Sequence, residues 1–462
     1  MEKYFGPGTR LPEARFRRRW TRMITEIKGR MPLSYRRDAS ILFHDSLEQL
    51  KVFEHNYIFE PNECASAMAL VDDPADDAFS RQGISGLEFD TEGIYLASIT
   101  KAGCLIVHEF ERLYCEIYGP KSSQLVNGTK EFIHISNSKP LDSVRWNPTN
   151  QDEVAFSSRQ SDHVGLYNIF HSSTQGQVLC SQNDHTSELQ NGLSDVLFAS
   201  DNKSRLFASG LDGNIYVWDT RLSISPCLTL TTNSRRELNS IALYQDQVVF
   251  GADKCGFIHS WDIRGGQSSH AFQSRNQRSH YPSISIKLSA ELEKIPSLKA
   301  QTDIVPKEIH SISINPSCSS QLAFHLVDGW SGVLDLRDLV VTHVHCPPVV
   351  LDGTDIISTN SIMRRPSWFS TFSTYAVGSV AEKGLYLLDF FPGKHSACHV
   401  DFNPESRSNS PECSRDPENK YIPVSENILV CTVHPRNDTI IAGTKESSLM
   451  VISQKHKVDN GD

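Results

Sequence analysis

The sequence predicts an all-β protein built from one antiparallel sheet repeated around a ring, and three observations carry that prediction. First, residues 205–221 read RLFASGLDGNIYVWDTR: two alternating apolar runs joined at Asp212-Gly213, closing on Trp218-Asp219 with an arginine two places on. An Asp-Gly pair supplies the positive φ of a two-residue hairpin at little cost. Second, the same hairpin and ending return at residues 248–264, VVFGADKCGFIHSWDIR. Third, weaker copies of this strand-turn-strand pattern flank both, giving repeats at 84–110, 141–170, 193–221, 238–264, 309–338, 359–390 and 426–453. Self-similarity of this kind marks a repeat architecture, and only closure into a ring removes the sheet edges, so the predicted fold is a seven-bladed β-propeller.

Taken in order, residues 1–48 form a basic leader. A Gly/Pro-broken start precedes residues 11–28, where Phe16, Trp20, Met23, Ile24 and Ile27 share one helical face. Pro12 suits the first turn and Gly29 the stop. Arg15, Arg17, Arg18, Arg19 and Arg22 take the opposite face, which predicts an N-terminal amphipathic helix. The propeller is expected over residues 49–457, followed by a tail at 458–462. The seventh repeat has no fourth strand after it, so the strand-like segment 50–59 is expected to complete that blade and close the ring. Residues 61–80 read as an acidic loop. Other fourth strands are expected at 132–136, 177–182, 226–232 and 342–346. Polar insertions at 265–307 and 391–425 exceed ordinary loop lengths, which predicts disorder or functional loops.

Charge is divided unevenly along the chain. The net charge is -10, yet the first forty residues carry eleven Lys/Arg against four Asp/Glu, a net of +7, leaving about -17 for the rest. That acidic remainder disfavours extended nucleic-acid contact, although Phe16 and Trp20 among arginines leave a local one open. No apolar run is long enough to span a membrane, and the basic start lacks the apolar core of a secretory signal. The eleven scattered cysteines include no C-x-x-C pair, the pattern of reduced thiols in a nuclear or cytoplasmic protein. No cluster of metal-ligand spacing, Gly-rich phosphate loop or G-x-S-x-G elbow occurs. The chain is therefore read as non-enzymatic, without metal or cofactor.

The endings VWDT (217–220) and SWDI (260–263), with the weaker LDLR, LLDF and HEF, resemble those of WD-repeat proteins. That resemblance covers about residues 50–455 and implies a bracing set of His, Ser/Thr, Asp and Trp in each blade. His185, Ser209, Asp212 and Trp218 are its candidates in the third blade, while Trp261 and a displaced Asp253 represent it in the fourth. Strand alternation also places the arginine that follows each buried tryptophan on one rim of the ring. Arg221 and Arg264, with Arg337 after Leu-Asp, would line that rim on neighbouring blades.

W-D-x-R endings in adjacent blades resemble those of the substrate receptors of cullin-4 RING ubiquitin ligases. The resemblance implies that Arg221, Arg264 and Arg337, with Asp219 and Asp262, face the damage-specific DNA-binding adaptor. It also implies that a helix bearing Phe16, Trp20, Ile24 and Ile27 inserts into that adaptor, and that a protein substrate binds elsewhere on the chain. The alternatives are a WD-repeat scaffold in RNA processing or chromatin, with the basic helix packed on the ring or serving as an import signal.

Overall fold

The computed structural model describes residues 64–70, 83–110, 113, 133–169, 176–181, 192–200, 204–232, 234–264, 279–301, 303–347, 363–370, 372–380, 382–391, 398–402, 419–436 and 438–454. In them the chain builds seven antiparallel sheets, each ordered outward from its first strand. The protein is a seven-bladed β-propeller, as the repeats predict. In the third blade, Arg205–Gly210 pairs with Asn214–Asp219 in the register Ser209↔Ile215 and Leu206↔Trp218. The intervening Gly213 has φ +81°, and a Cβ there would lie 2.7 Å from Thr232 Oγ1 and 2.8 Å from the Arg235 backbone. Glycine is thus required by conformation and by space.

Alternation along the strands buries apolar side chains on both faces of every blade, because each blade is sandwiched between two others. Apolar clusters accordingly fill the gaps between consecutive blades. Trp218 lies with Ala155, Leu166 and Leu179 of the second blade, and Trp261 with Phe207, Ile215 and Leu230 of the third. The gap between blades seven and one is filled in the same way by Val430, Ile441, Leu449, Ile84 and Leu96.

The four fourth strands expected between repeats are present, at Ile133–Ser136, Gln177–Cys180, Leu228–Thr231 and Val340–His345. Ring closure differs from the expectation. Cys64–Leu70 pairs antiparallel with Ser448–Gln454 and completes the seventh blade. It falls in the stretch read as an acidic loop, while the segment 50–59 lies outside the described residues, as does the N-terminal helix. The insertions also hold more structure than their polarity implies. Ile284–Lys287 and Lys420–Pro423 are the outer strands of blades four and six. Before each, the chain reaches back to the preceding blade: Ser279–His280 adds a parallel strand outside blade three, and His399–Asp401 does so outside blade five. Two short helices, Leu288–Leu292 and Pro296–Gln301, follow the first of these.

Five of the seven first strands share an irregularity near their start, and in three of them it ties one blade to the next. A bulge interrupts their pairing at Ile84/Gly86, Leu193/Asp195, Leu238/Ser240, Ile309/Ser311 and Ile428/Val430. Such a bulge re-aims the extra side chain. Ser85 donates to Leu141 O at 2.5 Å, Ser194 to Leu238 O, and Asn239 to Ile309 O at 3.0 Å. In each case the bulged residue bonds a backbone carbonyl at or just before the start of the next blade's inner strand.

Candidate functional site: an arginine rim

In each blade the third strand ends on the same face as the turn joining the first two strands. Asn214–Asp219, Phe257–Asp262 and Ser331–Asp335 therefore deliver their terminal acids to one rim, on blades three, four and five. The Arg221 backbone N–H donates to Asp219 Oδ1 at 3.2 Å, and its Nε and Nη2 donate to Oδ1 and Oδ2, both at 3.3 Å. Arg264 grips Asp262 identically at 3.0, 3.1 and 2.8 Å. Arg337 grips Asp335 at 2.9, 3.0 and 2.5 Å. These side chains are 69 %, 60 % and 75 % exposed, so the rim is open to a partner.

The acid fixes the guanidinium in place rather than consuming it. Two of five N–H donors are taken by the carboxylate, which leaves a planar, oriented set facing outward. Hydrogen bonds from Arg264 and Arg337 hold the Asp262 and Asp335 carboxyls below the usual range, and those acids raise the arginines in turn. Both partners stay charged across the physiological range.

Blade six continues the series with a different side chain. Asp389 accepts the Phe391 backbone N–H at 3.0 Å, the turn that holds arginine in the three blades before it. Phe391 is 56 % exposed, and Phe372, in the first turn of that blade, 53 %. Leu222 and Ile224, just after Arg221, are exposed as well. Sequence reading missed these apolar positions, although the repeat offset from Asp389 marks Phe391.

The tryptophans are buried as expected, Trp218 completely and Trp261 at 1 % exposure. Three of the bracing candidates in blade three lie within the described residues. Trp218 Nε1 donates to Cys180 O and Ile224 O at 3.3 and 3.1 Å, and Ser209 Oγ bonds Ser194 Oγ at 2.9 Å. Asp212 is occupied within its turn by Asn214 and the Tyr216 hydroxyl. Ser209, Asp212 and Trp218 are not bonded directly to one another, and Tyr216, two residues before the tryptophan, holds the acid. In blade four a comparable line runs outward from Asp253 to His259 Nε2, 3.5 Å away, and from His259 Nδ1 to Ser285 at 2.8 Å. His185, Phe16, Trp20, Ile24 and Ile27 lie outside the described residues.

A second polar centre occupies the ring axis. Ser143, Asp195 and Ser240 hold matching places in the inner strands of blades two, three and four, and Arg365 holds the corresponding place just before that of blade six. The buried Asp195 carboxylate accepts Ser143 Oγ at 2.7 Å, Ser240 Oγ at 3.0 Å and the Ile241 N–H at 3.1 Å. Arg365 crosses from blade six to donate to it at 2.8 Å, and Arg145 lies 3.6 Å away. Burial alone would raise the Asp195 carboxyl, but Arg365, Arg145 and these hydrogen bonds outweigh it and hold the group ionised. Nearby Glu88 is pushed up to about 7 by burial, against the pull of Arg145.

Among the described residues no group of three or more His, Cys, Asp or Glu could hold a metal ion, and no helix is long and apolar enough to cross a membrane. No protein-family model matches the chain, and a search of curated proteins returns no match.

Proposed function

We propose that the chain is a non-catalytic protein-interaction module of the WD-repeat class. A propeller of this kind offers surfaces rather than a reacting centre. More particularly, we propose that it serves as substrate receptor of a cullin-4 RING ubiquitin ligase in the nucleus or cytoplasm, docking on the damage-specific DNA-binding adaptor. The observation that carries this reading is the repetition of one exposed Asp-Arg fork on three consecutive blades, continued by exposed Phe391 on a fourth. Oriented guanidinium groups beside apolar side chains are the composition of an interface hot spot. The basic N-terminal helix, with Phe16, Trp20, Ile24 and Ile27, would supply a second anchor, and the substrate would bind away from this rim.

The test is pull-down of the purified adaptor by the full chain and by the Arg221→Ala/Arg264→Ala double variant. Wild type should retain the adaptor and the variant should lose at least about tenfold, since two truncated hot-spot arginines remove some 1–2 kcal/mol each. No retention by wild type, or undiminished retention by the variant, refutes the receptor role and leaves a propeller with other partners.

A further inference from the structure

On the face opposite the arginine rim, one cation meets no anion among the described residues. Arg364 precedes Arg365 in the crossing that enters blade six, and the register of that blade puts it where His310 stands in blade five: Ser313 pairs with Ala323 as Ser367 pairs with Ala376. This is the bulged position whose side chain, in blades one, three and four, bonds the next blade. Among the described residues the Arg364 side chain finds no such bond. Its Nε is buried without a partner, and its backbone N–H makes only a 3.5 Å contact with His310 Nδ1. No carboxylate among the described residues pairs with it, and burial pulls its pKa down.

The surroundings are positive as well. Burial and the charges of Arg364, Arg159 and Arg365 push His310 down to about 3, so the imidazole stays neutral beside them. Arg365 is charge-paired with Asp195, although its own Nε is also buried without a partner, and Arg159 is paired with Glu237 and Asn239 at 3.2 Å each. Of these three arginines, Arg364 alone has no charged partner among the described residues. Arg364 is half-buried, and removing a guanidinium from water without a counter-charge is costly; an anion bound there offsets part of that cost.

We propose that Arg364, backed by Arg159, forms an anion-recognition site at this mouth of the channel, which takes a phosphate or carboxylate side chain of a protein partner. A protein side chain is favoured over nucleic acid because Glu237 and Glu308 flank the site and the chain carries a net charge of -10. Both features repel an extended polyanion while admitting one anionic group. The site lies on the other face from the arginine rim, and its existence does not depend on the adaptor reading.

The experiment measures retention of the full chain on arrays of random peptides with a central phosphoserine, phosphothreonine, glutamate or serine, with single-stranded RNA as a separate probe. The chain should be retained by phosphorylated peptides, by glutamate peptides or by both, at least tenfold above serine. Which arm is retained identifies the source of the anion. Arg364→Gln should abolish the difference, with an unchanged or higher Tm because an unpaired charge has been removed, whereas Arg221→Ala should leave it intact. Equal retention on all peptides, retention on RNA alone, or binding that survives Arg364→Gln overturns the proposal. It also falls if Asp352→Asn/Asp355→Asn destabilises the chain only while Arg364 is present, since those acids would then be its internal partners.

Discussion

Replacing Asp195 by asparagine should expose how far the ring depends on its axis. The carboxylate is wholly buried and Arg365 is 9 % exposed, so the substitution strands a guanidinium in a site from which water is nearly excluded. Breaking a buried pair in this way costs about 3–5 kcal/mol. Arg145 retains Glu88 at 3.9 Å, and the amide still accepts one hydrogen bond, which favours the lower end, about 3 kcal/mol. An unfolding entropy of about 2.1 cal/mol/K per residue gives ~0.8 kcal/mol/K for a ring of roughly 400 residues, so Tm should fall by about 4 °C. Calorimetry at neutral pH measures it. Arg365→Gln combined with Asp195→Asn should cost clearly less than the two singles summed, a coupling of at least ~1 kcal/mol. A Tm shift below about 1 °C for Asp195→Asn, or strict additivity in the double variant, would refute a strut across the axis.

Two further outcomes concern the stability of the ring. Glu88 rises from 4.5 to about 7 on folding, so its contribution to stability is present at low pH and lost as pH climbs through that interval; Glu88→Gln should flatten the stability profile between about pH 4.5 and 7. Asp195 has the opposite sign, its contribution disappearing only as pH falls below the ordinary carboxylate range. Trp218→Phe keeps an aromatic ring in the gap between blades two and three but loses the donor to Cys180 O and Ile224 O. It should cost about 2 kcal/mol in chemical denaturation while adaptor retention is unchanged, and a neutral effect would mean that those bonds are dispensable.

The blades were legible because their signals are local. Alternating apolar residues, an Asp-Gly turn and a buried tryptophan each follow from a few consecutive residues, and the rim arginines follow from their offset to that tryptophan. The closing strand escaped because CASAMAL shows no apolar-polar alternation and is rich in small residues of weak strand preference. It is a strand by virtue of the edge that Ser448–Gln454 offers, almost four hundred residues away. The outer strands of blades four and six were hidden by the polar detours before them. Asp195 and Arg365 lay furthest from view, since neither belongs to a motif and only ring geometry makes them neighbours. The bonds around the bracing candidates are likewise invisible in the sequence: their residue types are present in blade three, but only the folded chain shows Tyr216 bonded to Asp212.

Closure by Cys64–Leu70 also sets an order of events during synthesis. That strand leaves the ribosome early, yet its pairing partner emerges roughly 380 residues later, about 20–80 s at ordinary elongation rates. Through that interval six blades can form while the seventh position stays vacant and the apolar flanks of its two neighbours remain wet. The nascent ring is then a horseshoe with two sticky ends, so its yield in the cell should depend on chaperone capacity more steeply than the stability of the finished ring would indicate.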